Sequence, residues 1–517
     1  MVVTKEQKPV ASQPVISGPA AALAGVVAVL AALGVAHLVA GFVDPQSSPY
    51  LAVGNGFIDR TPPWLKDFAI STFGTNDKLA LLVGMGTVLV GLGVAAGLLC
   101  RRNRKAGAGF IALLGAIGTG AVLARPDTKA IGVLAPLSAT AVGVVVLMLL
   151  AHRATPNPGG TGMSRRSFVG TSAALAAGAG VAAVVGQRAR NSADVAASRT
   201  AVGTVAPVSA LPSPPAGADF VSDGGLPFVT ANDDFYRIDT AFDPPRIRAE
   251  DWSLRIHGMV DRELTLNFAQ LMQRPLLAQR VTFTCVSYEV GGDLVGTADW
   301  VGVSLRELLL EAGVRPGADQ IFSTSTDGFT ASTPVDVVLE TDRGAMLAVN
   351  MNGQPLPVEH GFPVRMLVPG LYGFVSATKW LKDIELTTYA AKKAYWTPRG
   401  WSDHGPVKIA SKVTAARRSA GASTSSVTVT GAAWAQHIGI SQVQVRVDGG
   451  SWTAARLGED GGRDAWRMWR ADVPNVRDGS HIVECCATGA DGRLQTEKMT
   501  APAPDGATGW HTFRFTA

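Results

Sequence analysis

The sequence predicts a multi-domain protein with an N-terminal α-helical membrane bundle of five spans, a central α+β domain and a C-terminal all-β sandwich of immunoglobulin type. Three observations predict this order. Five long stretches without formal charge fill the first 190 residues, and a stretch rich in Pro, Ala and Ser follows them. Beyond it, apolar and polar residues alternate in short runs that end at glycine turns, which is typical of β structure.

Each uncharged stretch is about as long as a membrane-spanning helix, which needs roughly 20 residues. The stretches cover residues 18–43, 79–100, 106–124, 130–151 and 167–186. Basic residues precede the first stretch, follow the second and follow the fourth, so they all face the cytoplasm if the N-terminus does. The sequence therefore predicts a membrane anchor over residues 1–187, with the rest of the chain outside the cytoplasm.

The fifth stretch begins at Ser164-Arg165-Arg166-Ser167-Phe168-Val169 and is rich in Ala and Gly. This pattern is similar to a twin-arginine export signal. The positive flank of an ordinary membrane helix explains the two arginines equally well, and the low hydrophobicity of the stretch favours the signal. Whether the chain is cleaved after this span stays open.

Residues 188–225 are rich in Ala, Ser, Pro and Val without a period, so we expect an extended tether. The α+β domain is expected over 226–406. Residues 252–257 alternate like a strand, and Ser304 with Glu307 forms a helix-capping pattern. Residues 280–284 predict a buried strand, and Cys285 follows it before a loop that contains glycine.

The last domain is expected over 407–517. Residues 443–447 alternate between valine and polar side chains, and Asp448-Gly449-Gly450 then predicts a hairpin turn. Strands of this length with such turns suggest an immunoglobulin-like sandwich.

Composition and cysteine spacing exclude several classes of function. The net charge of +5 is modest and the arginines form no single stripe, so no nucleic-acid partner is predicted. The four cysteines form no CxxC or CxxCH pattern, which disfavours zinc, iron–sulfur and c-type haem sites. His37 is the only histidine within a predicted span, so no haem is predicted there either.

Four segments carry a family resemblance: Asn232-Asp-Asp-Phe-Tyr-Arg237, Thr284-Cys285, residues 298–303, and residues 351–365 continuing to Lys379-Trp380. Together they resemble the sulfite oxidase family of molybdopterin-dependent oxidoreductases, over roughly residues 226–517. The preceding spans and twin-arginine pattern resemble actinobacterial members with a membrane anchor. The β-rich end resembles the dimerisation domain of the family, which implies a homodimer.

The resemblance implies a molybdenum ion bound by the dithiolene of one pterin and by a protein thiolate. Cys285 would be that metal ligand, because a soft thiolate suits such a metal. Arg365 and Lys379 would hold the pterin phosphate through a planar fork and a point charge. The full set of cofactor-binding positions that the resemblance implies is Asn232, Tyr236, Arg237, Cys285, Thr324, His360, Arg365, Thr378 and Lys379.

Two departures from the family pattern concern the substrate. Sulfite-oxidising members have an arginine five residues after the metal cysteine, where this chain has Val290 beside the acidic Glu289. Arg237 is shifted by one position, to a spacing closer to that of the periplasmic protein-methionine-sulfoxide reductases. Both departures disfavour sulfite and favour an S-oxide or N-oxide, either a small molecule or one carried by a protein.

The predicted catalytic residues are Cys285, Tyr288, Glu289, Tyr395 and Arg399. The stretch 394–400 lines the pocket in the family, so the resemblance makes Tyr395 and Arg399 candidate substrate contacts, and simple packing explains them equally well. The leading hypothesis is an enzyme of oxygen-atom transfer that exchanges electrons with a separate carrier, a quinone or a cytochrome. The alternative is a non-catalytic surface protein that keeps the fold as a docking platform.

Overall fold

The computed structural model describes residues 16–62, 65, 72, 77–125, 128–154, 165–190, 193–241, 243–419 and 426–517. The chain divides into two compact units: residues 1–192 with 241–243 form the first, and residues 193–240 with 244–517 form the second. Lys5 and Lys8, which bear on the predicted orientation, and Ser164 of the twin-arginine pattern lie outside the described residues.

The first unit is helical. Its described helices are α1 (Gly18–Val43), α2 (Pro49–Arg60), α3 (Asp77–Arg102), α4 (Arg104–Leu123), α5 (Leu134–Arg153) and α6 (Arg165–Arg190). Five stretches are long and apolar enough to cross a membrane, with mean hydropathies from 1.8 to 2.5. They are Gly18–Val43, Ala80–Arg102, Arg104–Leu123, Ala130–Arg153 and Arg166–Ala189. The five predicted apolar helices are therefore confirmed.

Helix α1 lies at the centre of the first unit and packs against α3, α5 and α6. Its buried face consists largely of small residues such as Ala21, Ala24 and Ala28, which let neighbouring helices approach closely. Near its end, the His37 imidazole Nε2 lies 2.9 Å from the Gln187 side-chain oxygen of α6.

The second unit begins with a short helix and is otherwise rich in β structure. Its helices are α7 (Ala193–Val202), α8 (Phe268–Met272), α9 (Leu305–Ala312), α10 (Val335–Leu339) and α11 (Gly373–Ser376). The strands before residue 400 are β1 (Ser253–Gly258), β2 (Leu264–Asn267), β3 (Leu276–Thr284), β4 (Val295–Ser304), β5 (Gln320–Ser325), β6 (Thr330–Pro334), β7 (Met346–Met351), β8 (Gln354–Pro355), β9 (Arg365–Leu367) and β10 (Leu381–Thr387).

These ten strands form two sheets. The first has the order β2-β1-β10-β5-β6, with β1 and β10 parallel and the other neighbours antiparallel. The second has the order β3-β4-β7-β8, with β9 added beside β7, and all its pairs are antiparallel. Both faces of β7 are buried, because Leu347 enters one apolar core and Met346 enters the other. Strand β7 therefore lies between the two cores.

Local sequence signals are confirmed in this region. Strand β1 alternates between exposed and buried residues as predicted. The Ser304 hydroxyl accepts a hydrogen bond from the Glu307 N–H at 3.2 Å, so it caps α9 as expected. A complete reciprocal capping box occurs one helix earlier, between Asn267 and Gln270.

The C-terminal part, here called the β domain (residues 407–517), contains two four-stranded sheets. Its strands are β11 (Ala410–Arg418), β12 (Val427–Trp434), β13 (Ile440–Val447), β14 (Thr453–Ala454), β15 (Arg456–Leu457), β16 (Arg467–Val473), β17 (Ser480–Gly489) and β18 (His511–Thr516). The sheet orders are β11-β12-β16-β15 and β14-β13-β17-β18. Val429 of one sheet and Val443 of the other share an apolar core. The all-β prediction is confirmed, whereas the immunoglobulin type stays a prediction.

The prediction of an extended tether over residues 188–225 is corrected by the structure. Residues 193–202 form helix α7, and the Arg199 guanidinium donates hydrogen bonds to the carbonyls of Pro355 and Leu356 at 3.0 and 2.9 Å. Farther along, Phe220 is buried in an apolar cluster with Trp434. The composition of this stretch does not predict its folded structure, because residues far away in the sequence supply the stabilising contacts. The domain boundaries predicted at residues 226 and 407 stay predictions.

Candidate active site around Cys285

The Cys285 thiol sits at a fixed point because the main chain on both sides of it is hydrogen-bonded. Strand β3 is buried up to Thr284, and the Cys285 N–H then donates to the Leu294 carbonyl at 3.0 Å. The Cys285 carbonyl accepts from the Tyr288 N–H at 3.0 Å, which closes a tight turn. Cys285 is buried, at 7% exposure, and forms no disulfide. A lone thiol is therefore presented from the end of a rigid strand.

A cavity of about 120 Å³ lies beside this thiol. Segments from five regions line it, around residues 235–240, 283–287, 325–329, 360–380 and 396–401. Eight aromatic side chains line it, among them Phe329, Phe374, Trp396 and Trp401. Such a concave, largely apolar space with a few converging polar groups is the usual form of a ligand site.

Two buried cations line the same cavity. The Arg365 guanidinium donates to the carbonyls of His360 and Ala377 at 3.2 and 3.4 Å, and its Nε has no hydrogen-bond partner among the described residues. The Lys379 ammonium lies 3.2 Å from the Asp239 carboxylate. Burial lowers the pKa of Arg365 to about 10 and that of Lys379 to about 8, so both are mainly charged at neutral pH.

Gly361 brings these two cations together. It has a φ of +106°, and a Cβ at this position would lie 3.0 Å from the Lys379 Cβ and 3.1 Å from the Arg365 Cβ. A side chain here would be strained by the backbone conformation and would also push the two cationic residues apart. The glycine of the His360-Gly361 motif is thus required by the geometry of the site.

We expect Gly361→Ala to lower the free energy of unfolding of the second unit by about 3 kcal/mol, from left-handed strain and crowding together. Gly353→Ala is the matched control, because Gly353 also has a positive φ, +74°, but a Cβ there would meet nothing within 4 Å. The control should lose only about 1 kcal/mol. Thermal unfolding of the full chain in detergent measures both; equal losses would show that crowding beside the cations is unimportant.

His360 and Tyr236 also line the cavity, and both are neutral at physiological pH. Burial, with the nearby charges of Lys379 and Arg365, lowers the pKa of His360 to about 3. Its Nε2 lies 3.2 Å from the Asn232 carbonyl, which can only accept, so Nε2 carries the proton and Nδ1 does not. Burial raises the pKa of Tyr236 well above its ordinary value, so its phenol stays a hydrogen-bond donor.

Opposing effects act on the pKa of the Cys285 thiol. Burial raises its pKa, while hydrogen bonds from Ser287 and the positive charge of Lys379 act in the opposite direction. A thiolate therefore needs a further positive charge beside it to become stable in this position. A bound metal ion supplies such a charge.

Five of the residues predicted from the sequence meet in the cavity: Tyr236, Cys285, His360, Arg365 and Lys379. Two others lie directly behind the lining. Asn232 holds His360 through its carbonyl and accepts from the Asn352 amide at 2.8 Å. The Thr378 hydroxyl is fully buried, 2.7 Å from that of Ser323.

The predicted catalytic residues Tyr288 and Glu289 do not belong to the described lining of the cavity. The tight turn after Cys285 directs Tyr288 into an apolar cluster with Trp434, at 5.3 Å between ring centroids. Glu289 is exposed. The carboxylates that line the cavity are instead those of Asp239 and Asp327.

Four further predicted residues also lie outside the described lining: Arg237, Thr324, Tyr395 and Arg399. Arg237 is half-exposed and pairs with Asp239 at 2.9 Å. Thr324 points to the opposite side of β5 from its neighbour Ser325, which does line the cavity. In the region 394–400, the Arg399 guanidinium stacks on the Tyr395 ring at 3.7 Å. Trp396, between them in sequence, lines the cavity in their place.

Sequence reasoning missed several residues of the site. Asp239 lies two residues after the Asn232–Arg237 motif, so the motif could have been extended to it. Ser325 is the neighbour of Thr324, the residue that was predicted instead. Phe374 and Trp401 carried no local signal, because only the tertiary fold brings their loops to the cavity.

The chain is similar to a known protein family and to several known proteins. Residues 241–396 match the family model described as the oxidoreductase molybdopterin binding domain. The oxidoreductase YuiH of Bacillus subtilis (strain 168) is 32% identical over 154 residues, which are 30% of this chain and 74% of YuiH. Sulfite oxidase of Gallus gallus is 27% identical over 305 residues, 49% of this chain and 65% of the chicken protein. The chain belongs to the sulfite oxidase family of molybdopterin-dependent oxidoreductases. The matched stretch thus spans slightly less than two thirds of its chicken relative.

A solved structure is also similar to part of this chain. It is the sulfane dehydrogenase SoxCD from Paracoccus pantotrophus, at 21% identity, covering 56% of this chain and 81% of that one with a TM-score of 0.48.

The side chains of the cavity fit the molybdenum–molybdopterin cofactor of this family. A soft sulfur ligand is present in Cys285. The buried Arg365 guanidinium has an unpartnered Nε and no carboxylate in ion-pair distance among the described residues, so it would suit an anion such as the phosphate of a pterin. The buried Ser325 hydroxyl, also without a hydrogen-bond partner in the described part of the chain, offers a further polar contact.

Proposed function

We propose that this protein is a membrane-anchored oxidoreductase that performs oxygen-atom transfer at a molybdenum ion ligated by Cys285, outside the cytoplasm. The observation that carries the proposal is the presence of one lone buried thiol and two buried cations in the same cavity. When bound, the cofactor supplies the two-electron chemistry, in which an S-oxide or N-oxide plus two protons and two electrons gives the reduced compound and water.

The residues of the chain have distinct roles in this proposal. Cys285 gives the metal its protein ligand, and Arg365 with Lys379 binds the phosphate end of the pterin. Neutral His360, held by the Asn232 carbonyl, offers an unprotonated Nδ1 to the ring system of the pterin. Tyr236 remains a protonated phenol and so a donor toward bound oxygen atoms.

The wall of the cavity supports a neutral substrate rather than an anion. Trp396, Trp401 and Phe374 offer apolar surface, and the Asp327 carboxylate adds negative charge to the lining. Val290 stands where sulfite-oxidising members have an arginine. An S-oxide or N-oxide of an apolar compound, free or on a protein side chain, fits this lining better than sulfite does. Sulfite oxidation is the second candidate, and the sulfite oxidase relatives favour it.

The surroundings of the enzyme are part of the same proposal. Five apolar helices anchor the chain, with the N-terminus in the cytoplasm of a bacterium and the second unit outside. In this proposal a separate carrier, a quinone or a cytochrome, exchanges the electrons. We also propose that the β domain is an immunoglobulin-like sandwich and that two copies of the chain associate into a homodimer.

The direct test is metal and pterin analysis of the full chain purified from its membrane, followed by turnover with two classes of substrate. We expect one molybdenum and one pterin per chain. With a reduced dye, neutral S-oxides or N-oxides should give a kcat/KM at least about 100-fold above that for sulfite with an oxidised dye. Protein without molybdenum would contradict the proposal and favour the non-catalytic docking protein. If the protein turned over sulfite but neither S-oxides nor N-oxides, sulfite would be the substrate in place of the oxides.

A further inference from the structure

The loop that carries the thiol, residues 285–294 and here called the Cys285 loop, is held by the β domain. The Lys412 ammonium of β11 donates to the Gly292 carbonyl at 2.7 Å and lies 3.2 Å from the Asp293 carboxylate. The Lys412 side chain is only 7% exposed, whereas Asp293 is fully exposed. The bond to the Gly292 carbonyl is therefore the buried one, and the carboxylate contact is at the surface.

A second contact comes from the end of the chain. Gly291 has a φ of +88°, and a Cβ there would lie 2.2 Å from the ring of His511. The Val413 N–H, next to Lys412, donates to the Nδ1 of this histidine at 2.9 Å. Two adjacent residues of β11, Lys412 and Val413, thus support these two contacts with the Cys285 loop.

The same domain also holds the strand before the thiol. The Gln436 amide donates to the Thr282 carbonyl at 2.7 Å, and the Thr282 N–H donates to the Asp464 carbonyl at 2.9 Å. Tyr288, on the other side of Cys285, packs its ring against Trp434. The β domain therefore holds the chain on both sides of the metal ligand, three residues before it and from three to seven residues after it.

We propose that the β domain positions the metal-ligating thiol, and that Lys412 is a positioning residue acting through the Gly292 carbonyl. This inference rests on the proposed function, because it assigns Cys285 as the metal ligand. The Cys285 loop contains two adjacent glycines, which give it little intrinsic rigidity. Main-chain hydrogen bonds within the loop hold its two ends together, and the β domain adds buried, hydrogen-bonded contacts at the glycines. Outer contacts of this kind orient metal ligands and are commonly worth 10- to 100-fold in activity.

The test compares Lys412→Met with the matched control Lys408→Met in the full chain. Lys408 also bonds a carboxylate and a carbonyl, those of Asp505 and Gly506 at 2.9 Å each, but it does not contact the Cys285 loop. In Lys412→Met we expect amide hydrogen exchange within residues 286–293 to become about tenfold faster. We also expect a changed Mo(V) electron paramagnetic resonance spectrum and a kcat about tenfold lower, with the molybdenum content retained. Lys408→Met should change none of these.

Two further variants separate the contacts. Asp293→Asn should leave exchange in the Cys285 loop unchanged, because the buried bond to the Gly292 carbonyl remains. If Lys412→Met does not fold, Lys412→Gln, which keeps a donor, should give a smaller increase in exchange. Equal exchange in the loop for the Lys412 and Lys408 variants would overturn the positioning role. Exchange is measured with or without cofactor, so this result is independent of whether the protein proves to contain molybdenum.

Discussion

Replacing Cys285 by serine is expected to reduce turnover by at least about 100-fold, because a hydroxyl is a poor substitute for a soft thiolate at molybdenum. The fold should persist. The hydrogen bonds that define this position use the Cys285 main chain, and serine is close to cysteine in size. Turnover with a reduced dye and thermal unfolding of the full chain measure the two effects.

Cys486→Ala is the control for the Cys285 variant. Cys486 is also a buried free thiol, but it lies on β17 in the β domain. Its loss should leave turnover nearly unchanged. If Cys285→Ser kept more than about a tenth of the activity, the thiol would not be the protein ligand on which the chemistry depends.

Replacing Arg365 by methionine is expected to have two opposite effects. Retention of the cofactor should fall by about 100-fold, because each hydrogen bond from a charged group to the phosphate is worth roughly 1.5–3 kcal/mol. The cofactor-free protein should become more stable by about 2 kcal/mol, because a buried cation without a carboxylate partner is replaced by an apolar side chain of similar length. Molybdenum and pterin content after gel filtration, and unfolding of the cofactor-free protein, measure these effects.

Arg280→Met is the matched control for Arg365→Met. Arg280 is equally buried, but its guanidinium forms two hydrogen bonds to the Asp299 carboxylate, at 2.6 and 2.8 Å. Removing it leaves that carboxylate without its partner, so stability should fall, by about 2 kcal/mol. We therefore expect the stability of the cofactor-free protein to rise in Arg365→Met and to fall in Arg280→Met. Destabilisation of the cofactor-free protein by both would mean that Arg365 is a structural residue rather than one kept for an anion.

The sequence predicted those parts of the fold that depend on local patterns. The five apolar helices, the alternation in β1, the cap at Ser304 and the strand before Cys285 all follow from spacing along the chain, and the structure confirms them. The family motifs also located the two cations, which meet because Gly361 allows them to.

The parts that sequence did not predict depend on tertiary contacts. A tight turn after Cys285 directs Tyr288 to Trp434, and no period in the sequence encodes that direction. Helix α7 is ordered by carbonyls more than 150 residues away. The aromatic wall comes from Phe374 and Trp401, on loops that only the folded sheets bring to the cavity.

X-ray absorption at the molybdenum edge tests the central claim most directly. The spectra of the purified wild-type protein and of Cys285→Ser should both show molybdenum, and the variant should have one sulfur ligand fewer. An unchanged number of sulfur ligands in the variant would contradict the assignment of this thiol to the metal.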